Sequence, residues 1–288
     1  MITTVKEILS KAKEGGYAVG AFNTVNLETT QAIIRAAKEA KSPVIIQVTE
    51  KTLEYAGGRE IFHLIRNYAE YYAPEVPVGI HLDHGKSFEI IERVIEIGFT
   101  SIMYDGSRKA YADNHAMTKK IADYCHERGV SIQAELGSVP YLGEGGMTDV
   151  DWDLYMTNPA QASEFVYATG VDALAVAIGN AHGFVKERPE PDYKRLEAIR
   201  ENVSVPLILH GASDWEDGRV TEVIKRGISC FNVDTALRVA FTNSVIHTVK
   251  DQETTVSFDV RKLMGDARDA VQKTVAEKIK LYGCGGKI

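Results

Sequence analysis

The 288-residue chain has only three cysteines, and their spacing argues against two kinds of cross-linked site. Cys125, Cys230 and Cys284 lie far apart and form no C-x-x-C pair. A disulfide framework needs an even set of cysteines, and a structural zinc cluster needs closely spaced ones. We therefore expect neither, and we expect a reducing, cytoplasmic location.

Long apolar runs are missing as well. No stretch approaches the roughly 20 residues that a membrane-spanning helix requires. The first 16 residues alternate charged with apolar side chains, which predicts an amphipathic helix rather than a secretory signal. The formal net charge of -7 does not suggest a nucleic-acid or membrane-surface partner, although it allows a locally basic pocket for an anionic substrate.

Two signatures of cofactor chemistry are also absent. No G-x-G-x-x-G follows a predicted strand and no P-loop occurs, so nicotinamide and nucleotide cofactors have no support in the sequence. No predicted strand ends in lysine, the residue that forms Schiff bases with carbonyl substrates.

The chain does contain a repeated junction between a charged segment and a short apolar run. Glycine stands at five such junctions: Gly16, Gly98, Gly129, Gly170 and Gly227. Glycine readily adopts the left-handed conformation that ends a helix. Short apolar runs without alternation are typical of parallel strands buried on both faces.

Eight apolar runs alternate with helical patterns. The runs are YAVGAF (17–22), PVIIQV (43–48), VGIHL (78–82), SIMY (101–104), VSIQAEL (130–136), ALAVAI (173–178), PLILH (206–210) and CFNV (230–233). The helical patterns are 26–40, 87–97, 109–128, 159–169, 216–226 and 234–250. This order predicts an α/β fold, a (β/α)₈ TIM barrel forming one domain over residues 1–288. An open doubly wound sheet is the alternative. Segment 137–158 is long for a βα connection, so we expect an extended mobile loop there.

Polar residues follow every predicted strand. In barrels of this kind the active site lies at the carboxyl ends of the strands. The residues found there are Asn23, Thr49, Glu50, Asp83, His84, Asp105, Glu135, Asn180, His182, His210, Asn232 and Asp234. Each alone is ordinary for a solvated edge, but several histidines and carboxylates at one end of a barrel indicate metal binding or proton transfer.

The eight histidines divide into three groups. Four lie in helical patterns and are expected on the surface or in helix packing: His63, His115, His126 and His247. His81 shares a strand face with Asp83 one layer deeper, which favours packing or support of a site. His84, His182 and His210 remain, and three protein ligands with an open fourth position are typical of catalytic zinc. The pattern alone leaves open both a zinc site and a merely polar barrel end.

Glycines accompany two of these histidines. Gly183 follows His182, and Gly211-Ala212-Ser213 follows His210. Barrel phosphate sites commonly use the loops after the last strands and a helix N-terminus. The pattern therefore predicts a phosphate beside the metal, against the simpler interpretation that the glycines only close short loops.

These residues resemble the class II, zinc-dependent fructose-bisphosphate/tagatose-bisphosphate aldolase family over nearly the whole chain. The matching stretches are YAVGAFNTVNLE (17–28), SPVIIQVTE (42–50), HLDHGKSFE (81–89), GFTSIMYDGS (98–107), GVSIQAELGSV (129–139), GVDALAVAIGNAHG (170–183), PLILHGAS (206–213) and FNVDTALRVAF (231–241). The resemblance implies a lyase of carbohydrate metabolism, most directly glycolysis, that cleaves a ketose 1,6-bisphosphate. Fructose 1,6-bisphosphate would give dihydroxyacetone phosphate and glyceraldehyde 3-phosphate.

The resemblance also implies roles for individual residues. His84, His182 and His210 would bind Zn²⁺, and Asp83 would exchange a proton with the C4 hydroxyl. Asp105 and Glu135 would approach an alternative metal position. The residues implied around the dihydroxyacetone phosphate are Gly183, Gly211, Ala212, Ser213, Asn232, Val233, Asp234 and Thr235.

Further expectations follow from the same resemblance. A monovalent cation, Na⁺ or K⁺, would lie near that phosphate at Gly183, Gly211 and Ser213. Asn23 and Thr49 would face the substrate. Arg261 would reach the distal phosphate from a neighbouring subunit, which requires a homodimer or homotetramer.

Two stretches depart from the family pattern. The loop VPYLGEGGMTDVDWD lacks the usual Gly-Gly-x-Glu-Asp order, so Glu144 is only the nearest candidate for a second acid, with Asp149, Asp151 and Asp153 as others. Asp234 favours a fructose-type substrate, whereas VDALAVAIGNAHG is closer to the tagatose-type branch. Tagatose 1,6-bisphosphate, another phosphorylated sugar, and a non-catalytic sugar-phosphate-binding aldolase subunit are the alternatives.

Overall fold

The architecture is taken from a computed structural model, which describes residues 1–140, 151–183, 190–255 and 258–288. Its strands are β1 (Ile2–Thr3), β2 (Val19–Asn23), β3 (Val44–Thr49), β4 (Val78–Gly85), β5 (Ser101–Tyr104), β6 (Ser131–Leu136), β7 (Ala173–Val176), β8 (Leu207–Leu209) and β9 (Ile228–Val233). Its helices are α1 (Val5–Gly15), α2 (Leu27–Glu39), α3 (Glu50–Ala56), α4 (Gly58–Asn67), α5 (Phe88–Ile97), α6 (Tyr111–His126), α7 (Pro159–Thr169), α8 (Tyr193–Asn202), α9 (Asp217–Lys225), α10 (Thr235–Thr255) and α11 (Val260–Tyr282). A π-helical turn, Tyr68–Tyr72, and a 3₁₀ turn, Trp152–Leu154, complete the set.

Strands β2 to β9 form a closed parallel barrel. Each pairs with the next along the chain, and β9 returns to β2 with Val19 opposite Cys230 and Ala21 opposite Asn232. An open doubly wound sheet has two edges, so this last pairing excludes it. The predicted (β/α)₈ barrel is therefore confirmed, and all eight carboxyl ends meet at one end, hereafter the rim.

The local sequence explains why the helices begin and pack as they do. In α1, Thr4 accepts a hydrogen bond from the backbone N–H of Glu7, and the buried side chains Val5, Ile8 and Leu9 lie on one face. In α2, Asn26 and Thr29 form a reciprocal capping box, as expected for Asn26 as the N-cap. The five junction glycines all adopt positive φ, between 66° and 119°.

The structure adds elements that the periodicity did not predict. The first residues form β1, which pairs with the start of β4, so the N-terminal helix begins only at Val5. Helices α3 and α4 occupy the connection after β3. Helix α11 lies beyond the eighth strand–helix unit and packs on α2 and α10. The repeat of a barrel gives no reason to expect a further helix after that unit.

The predicted loop 137–158 is fixed to the barrel at its base. The Ser138 N–H donates to the Tyr155 carbonyl at 2.8 Å. Thr157 donates through Oγ1 to the Leu136 carbonyl and accepts from the Ala177 N–H at 2.8 Å. Strands β6 and β7 thus hold both ends of the loop. Its mobility stays a prediction, since residues 141–150, including Glu144, lie outside the described residues.

Within the described ranges, no helix combines the length and the apolar composition needed to cross a membrane.

Candidate active site and metal centre

Three histidines from different strand ends face one another at the rim. His84 lies in β4, His182 follows β7 and His210 follows β8. The rings of His84 and His210 are 4.8 Å apart between centroids, and those of His84 and His182 are 5.4 Å apart. One ligand atom from each of the three lies within 4.8 Å of the others. The predicted zinc ligands are thus brought together.

One pair of nitrogens in this trio has a spacing close to that found at a zinc ion. His84 Nε2 and His210 Nδ1 are 3.0 Å apart, and His210 Nε2 is buried with no partner among the described residues. Two nitrogens that each bind a tetrahedral zinc at about 2.0–2.1 Å lie roughly 3.3 Å apart. The donor set is imidazole nitrogen, which zinc favours. The site therefore has the chemistry for zinc, and one of its nitrogen pairs lies close to the spacing that zinc requires.

Backbone contacts fix the second and third histidines. The His182 N–H donates to the Pro140 carbonyl at 2.9 Å. Asn180 donates to the His210 carbonyl at 2.9 Å and accepts from the Ile178 N–H at 2.7 Å. Burial, then the charge of His84, lowers the pKa of His182 to about 4 and that of His210 well below its usual value. Both rings are therefore held neutral, the state that binds a metal.

His84 is surrounded by carboxylates. Its Nδ1 donates to Asp105 Oδ2 at 2.8 Å, which leaves Nε2 facing His210. Burial opposes the charged form, but Asp83, the Asp105 hydrogen bond and Glu135 together raise the pKa of His84 to about 9. A carboxylate on the far nitrogen is the usual support of a histidine metal ligand. Asp105 thus orients His84 in this structure.

A second group of possible ligands shares His84. Atoms of His84, Asp105 and Glu135 lie within the same 4.8 Å limit. Glu135 accepts from the Val139 N–H at 3.1 Å, while its Oε2 is buried without a partner in the described ranges. Burial, then the charge of Asp105, raises the pKa of Glu135 to about 7. This arrangement agrees with the alternative metal position that the family resemblance implies.

Asp83 is a buried carboxylate held by amide groups. Asn23 donates to its Oδ2 at 3.0 Å, Gln47 to the same oxygen at 3.5 Å, and Asn232 to its Oδ1 at 3.2 Å. Oδ1 is also 3.8 Å from His84 Nε2. Burial pushes the pKa of Asp83 up, but His84, His210 and the Asn23 hydrogen bond outweigh it and lower that pKa. The carboxylate is therefore ionised and ready to accept a proton.

Two amides, one in this network and one beside His210, have roles that the sequence does not reveal. Gln47 donates to Asn23 Oδ1 at 2.6 Å, which orients Asn23 toward Asp83. Gln47 interrupts an apolar run and pairs in register with His81, so a polar residue inside a buried strand is the signal that identifies it. The sequence predicts Asn180 at the rim, but its hydrogen bonds to the backbone of Ile178 and His210 depend on the geometry of the loops.

His81 lies where the strand alternation predicts, one layer beneath Asp83. It is fully buried, and its Nδ1 is 2.9 Å from Ser101 Oγ. Burial lowers the pKa of His81 to about 4. The ring is therefore a neutral support in the barrel interior.

The residues expected around a phosphate lie in the loops after β7, β8 and β9. Gly183 and Gly211 have φ values of 88° and 63°. A Cβ on Gly211 would lie 2.4 Å from the Ala181 carbonyl atoms, so only glycine lets these two loops approach. Ala212 is buried, and the Ser213 carbonyl accepts from Lys278 at 3.3 Å.

The segment 232–235 connects β9 to α10. Asn232 contacts Asp83, and Val233 is buried. Asp234 pairs with Arg238 at 3.1 Å, and burial raises its pKa. Thr235 begins α10, so the N-terminus of that helix lies at the rim.

Three predicted site residues have other contacts. Thr49 accepts from the Thr52 N–H at 3.3 Å as the N-cap of α3. Arg261 is 92% exposed and pairs with Asp259 of its own helix start, so within one chain it is not joined to the rim. Asp153 pairs with Arg195 at 3.1 Å.

Comparison with known proteins identifies the family. A sequence profile described as Fructose-bisphosphate aldolase class-II matches residues 3–287. The chain is 40% identical to a fructose-bisphosphate aldolase of Geobacillus stearothermophilus, over 99% of this chain and 98% of that protein. It is 39% identical to one of Staphylococcus aureus strain Mu50, over 99% of each.

A solved structure agrees with these relatives. The YdjI aldolase from Escherichia coli K12 superposes with a TM-score of 0.88 at 35% identity, covering 100% of this chain and 99% of that one. The strand-end histidines, the buried aspartate and these matches over the full length lead to one conclusion. The chain belongs to the class II fructose-bisphosphate aldolase family and is an aldolase, a carbon–carbon lyase.

Proposed function

We propose that this chain cleaves fructose 1,6-bisphosphate to dihydroxyacetone phosphate and glyceraldehyde 3-phosphate, with Asp83 as the proton acceptor. One observation carries the proposal: Asp83 is buried, kept ionised, and lies 3.8 Å from a histidine of the three-histidine group. The relatives named as fructose-bisphosphate aldolases supply the substrate.

His84, His182 and His210 would hold the zinc ion. When bound, zinc is a Lewis acid that stabilises negative charge on substrate oxygens. The protein prepares the site by keeping His182 and His210 neutral and by directing the Nδ1 of His84 toward Asp105. Asp105 and Glu135 supply carboxylates at the adjoining alternative position.

Asp83 would take the proton of the C4 hydroxyl as the C3–C4 bond breaks. The electrons of that bond stay on C3, and the C4 oxygen becomes the carbonyl of glyceraldehyde 3-phosphate. Asn23 and Asn232 each donate to one oxygen of Asp83, so the carboxylate keeps one orientation throughout. A positioned acid/base of this kind contributes about 10²–10⁴-fold to a rate. C3 is then protonated by a second acid, for which Glu144 is our candidate from the sequence.

The loops after β7 and β8 and the start of α10 would bind the dihydroxyacetone phosphate. Helix N-termini attract phosphate through free N–H groups and the helix dipole. The close approach at Gly211 brings the backbones of the two loops together in the same place. The proposed contacts are Gly183, Gly211, Ala212, Ser213, Asn232, Val233, Asp234 and Thr235, with Na⁺ or K⁺ near the carbonyls of this loop pair. Asn23 and Thr49 complete the substrate side.

We also propose a homodimer that joins Arg261 to the neighbouring site. Helix α10 exposes Val239, Ile246 and Val249 on one face, and the next helix begins beside exposed Phe258 and Val260. An apolar stripe of this kind is typical of a covered face. Arg261 extends from that region and would contact the distal phosphate of the partner.

The dimer has a direct test. An Arg261→Ala chain and an Asp83→Ala chain are each impaired alone, but mixed dimers contain one site with both residues. A twofold dimer predicts recovery to about a quarter of wild-type sites in an equal mixture. A monomer in sedimentation analysis, or no recovery on mixing, would contradict this arrangement.

The proposed reaction is tested by metal-dependent turnover with fructose and tagatose 1,6-bisphosphates side by side. We expect chelation to abolish cleavage, zinc to restore it, and the fructose substrate to have the higher kcat/KM. Full activity in metal-free protein together with a lysine adduct trapped by borohydride would overturn the proposal. A higher kcat/KM for tagatose 1,6-bisphosphate would keep the reaction type but make that sugar the substrate.

A further inference from the structure

The backbone at His84 has a conformation that is unusual for its residue type. Its φ is 53°, and Lys41 is the only other non-glycine residue with positive φ in the described part of the chain. The β4–β5 register shifts between Leu82 and Gly85, so the strand is irregular where His84 lies. A side chain on a left-handed residue is strained, and such strain persists only where neighbouring groups hold it.

On the β5 side the turn is held by Asp105. The Asp105 N–H donates to the Gly85 carbonyl at 2.9 Å, and its carboxylate accepts from His84 Nδ1 at 2.8 Å. One residue thus fixes both the chain after His84 and its ring. These contacts account for one side of the turn only.

On the β3 side the turn is held by Glu50. The N–H of Lys86, two residues after His84, donates to Glu50 Oε1 at 2.8 Å. Thr49 is paired in register with Asp83, so Glu50 is the next residue along the neighbouring strand direction. Glu50 is also the first residue of α3, whose N-cap Thr49 fixes that helix start. The carboxylate therefore comes from a firmly placed part of the backbone.

We propose that Glu50 is a positioning residue for the metal centre: it holds the left-handed turn after β4 and thereby keeps the His84 ring in place. This inference rests on the proposed zinc-dependent function. Glu50 itself touches neither the three-histidine group nor Asp83 through any hydrogen bond of the described residues. It acts through the backbone of Lys86.

A second effect of Glu50 has to be separated from this one. An acid in the first turn of a helix interacts favourably with the helix dipole, so its loss weakens α3 whatever happens at Lys86. Two variants separate charge from reach. Glu50→Gln keeps an acceptor oxygen at the same distance but loses the charge, whereas Glu50→Asp keeps the charge but is one methylene shorter.

The experiment measures zinc affinity by chelator competition and hydrogen exchange at the Lys86 amide in metal-free protein. We expect Glu50→Asp and Glu50→Ala to weaken zinc binding about 10-fold, the lower end for loss of an outer partner of a metal ligand, and to speed exchange at Lys86. Glu50→Gln should stay within about twofold of wild type. Glu54→Ala, an exposed acid of the same helix, is the matched control and should change neither measurement.

Two results would overturn the inference. One is unchanged zinc affinity and Lys86 exchange in Glu50→Asp. The other is a Glu50→Gln variant that is impaired while Glu50→Asp is not, since charge rather than reach would then be responsible. Because Lys86 exchange is read without metal or substrate, it tests Glu50 even if the wild-type protein fails to cleave a bisphosphate. That failure would instead refute the proposed function.

Discussion

Two buried aspartates lie at opposite ends of the barrel, and their partners differ in kind. Asp83 at the rim and Asp172 just before β7 are equally buried, each about 6% exposed. Asp172 contacts Lys6 at 2.8 Å, His126 at 3.0 Å and the Ile132 N–H at 2.9 Å. Asp83 contacts neutral amides and lies beside imidazoles.

The difference separates a carboxylate that stabilises the fold from one that is available for chemistry. Asp172 has a cationic lysine and a backbone donor, so its oxygens are fully used. Around Asp83, buried polar atoms have no partner within the described residues: Gln47 Oε1, Glu135 Oε2, His210 Nε2 and Asn232 Oδ1. Unsatisfied buried polar atoms are costly, so the atoms beside Asp83 are polar groups that the fold itself does not fully use.

The comparison is tested most strongly by Asp83→Asn. The amide cannot accept the C4 proton, so kcat should fall by about 10²–10⁴-fold, while the thermal midpoint falls only modestly because one of the Asn23 and Asn232 N–H groups then faces the new N–H₂ group. Steady-state kinetics and calorimetry measure the two effects. Near wild-type kcat would remove Asp83 from the reaction.

Gly211→Ala tests the backbone of the rim rather than its side chains. The added methyl group would lie 2.4 Å from the Ala181 carbonyl atoms at a φ of 63°. We expect the loops to separate and kcat/KM to fall about 10–100-fold, mainly through KM, since about 2–3 kcal/mol of strain must be relieved. Gly218→Ala in α9 is the control, because its methyl group would meet nothing within 4 Å. Equal kinetics for the two variants would contradict a built phosphate site.

Asp172→Ala should produce the opposite pattern to Asp83→Asn. It leaves the buried Ile132 N–H without an acceptor, so the free energy of unfolding should fall by about 1–3 kcal/mol while kcat of the folded enzyme is kept. Asp123→Ala, which removes only the exposed pair with Lys119, should cost about 0.5 kcal/mol or less. Urea unfolding checks both. A large loss of kcat in Asp172→Ala would break the distinction between the two ends.

His81 gives the smallest effect, and it depends on pH. Its folded pKa, about 4, lies below the ordinary value of 6.5. Between pH 6.5 and pH 4 the His81 side chain binds a proton in the unfolded chain but not in the folded chain. The contribution of neutral His81 to the free energy of unfolding is therefore present above pH 6.5 and is lost as pH falls toward 4. In metal-free protein, the free energy of unfolding of His81→Gln should fall by about 1–2 kcal/mol less than that of wild type as pH is lowered from 6.5 to 4. Exposed His63→Gln is the control, and identical pH profiles for His81→Gln and wild type would refute the assignment.

The sequence predicts those parts of the barrel that repeat. Each strand is a short apolar run with a polar residue at or just after its end, so the positions of Asp83, His84 and His210 at the rim follow from alternation and chain order. Asn26 and the junction glycines are also predictable, because a helix start or a helix end depends only on residues close by in the sequence. Once the barrel fold is known, the three histidines are expected to lie at the same end of it.

What the sequence left out depends on contacts between distant segments. Gln47 is a single polar residue in an apolar run, and only its distance to Asn23 shows its purpose. Thr49 also caps α3, a helix that the periodicity does not predict, so this second role of Thr49 does not follow from the sequence. Arg261 lacks a rim contact in one chain, so its role depends on a second copy.

The hydrogen bonds that close the base of segment 137–158 have a consequence for engineering. Ser138 joins Tyr155 through the backbone, and Thr157 joins the end of β6 to the residue after β7. The segment is therefore a natural unit of exchange. A stretch taken from a relative and grafted between Pro140 and Tyr155 would keep the Val139 contact to Glu135 and the Pro140 contact to His182, and should carry its acids into this barrel without altering the strands that hold the metal ligands.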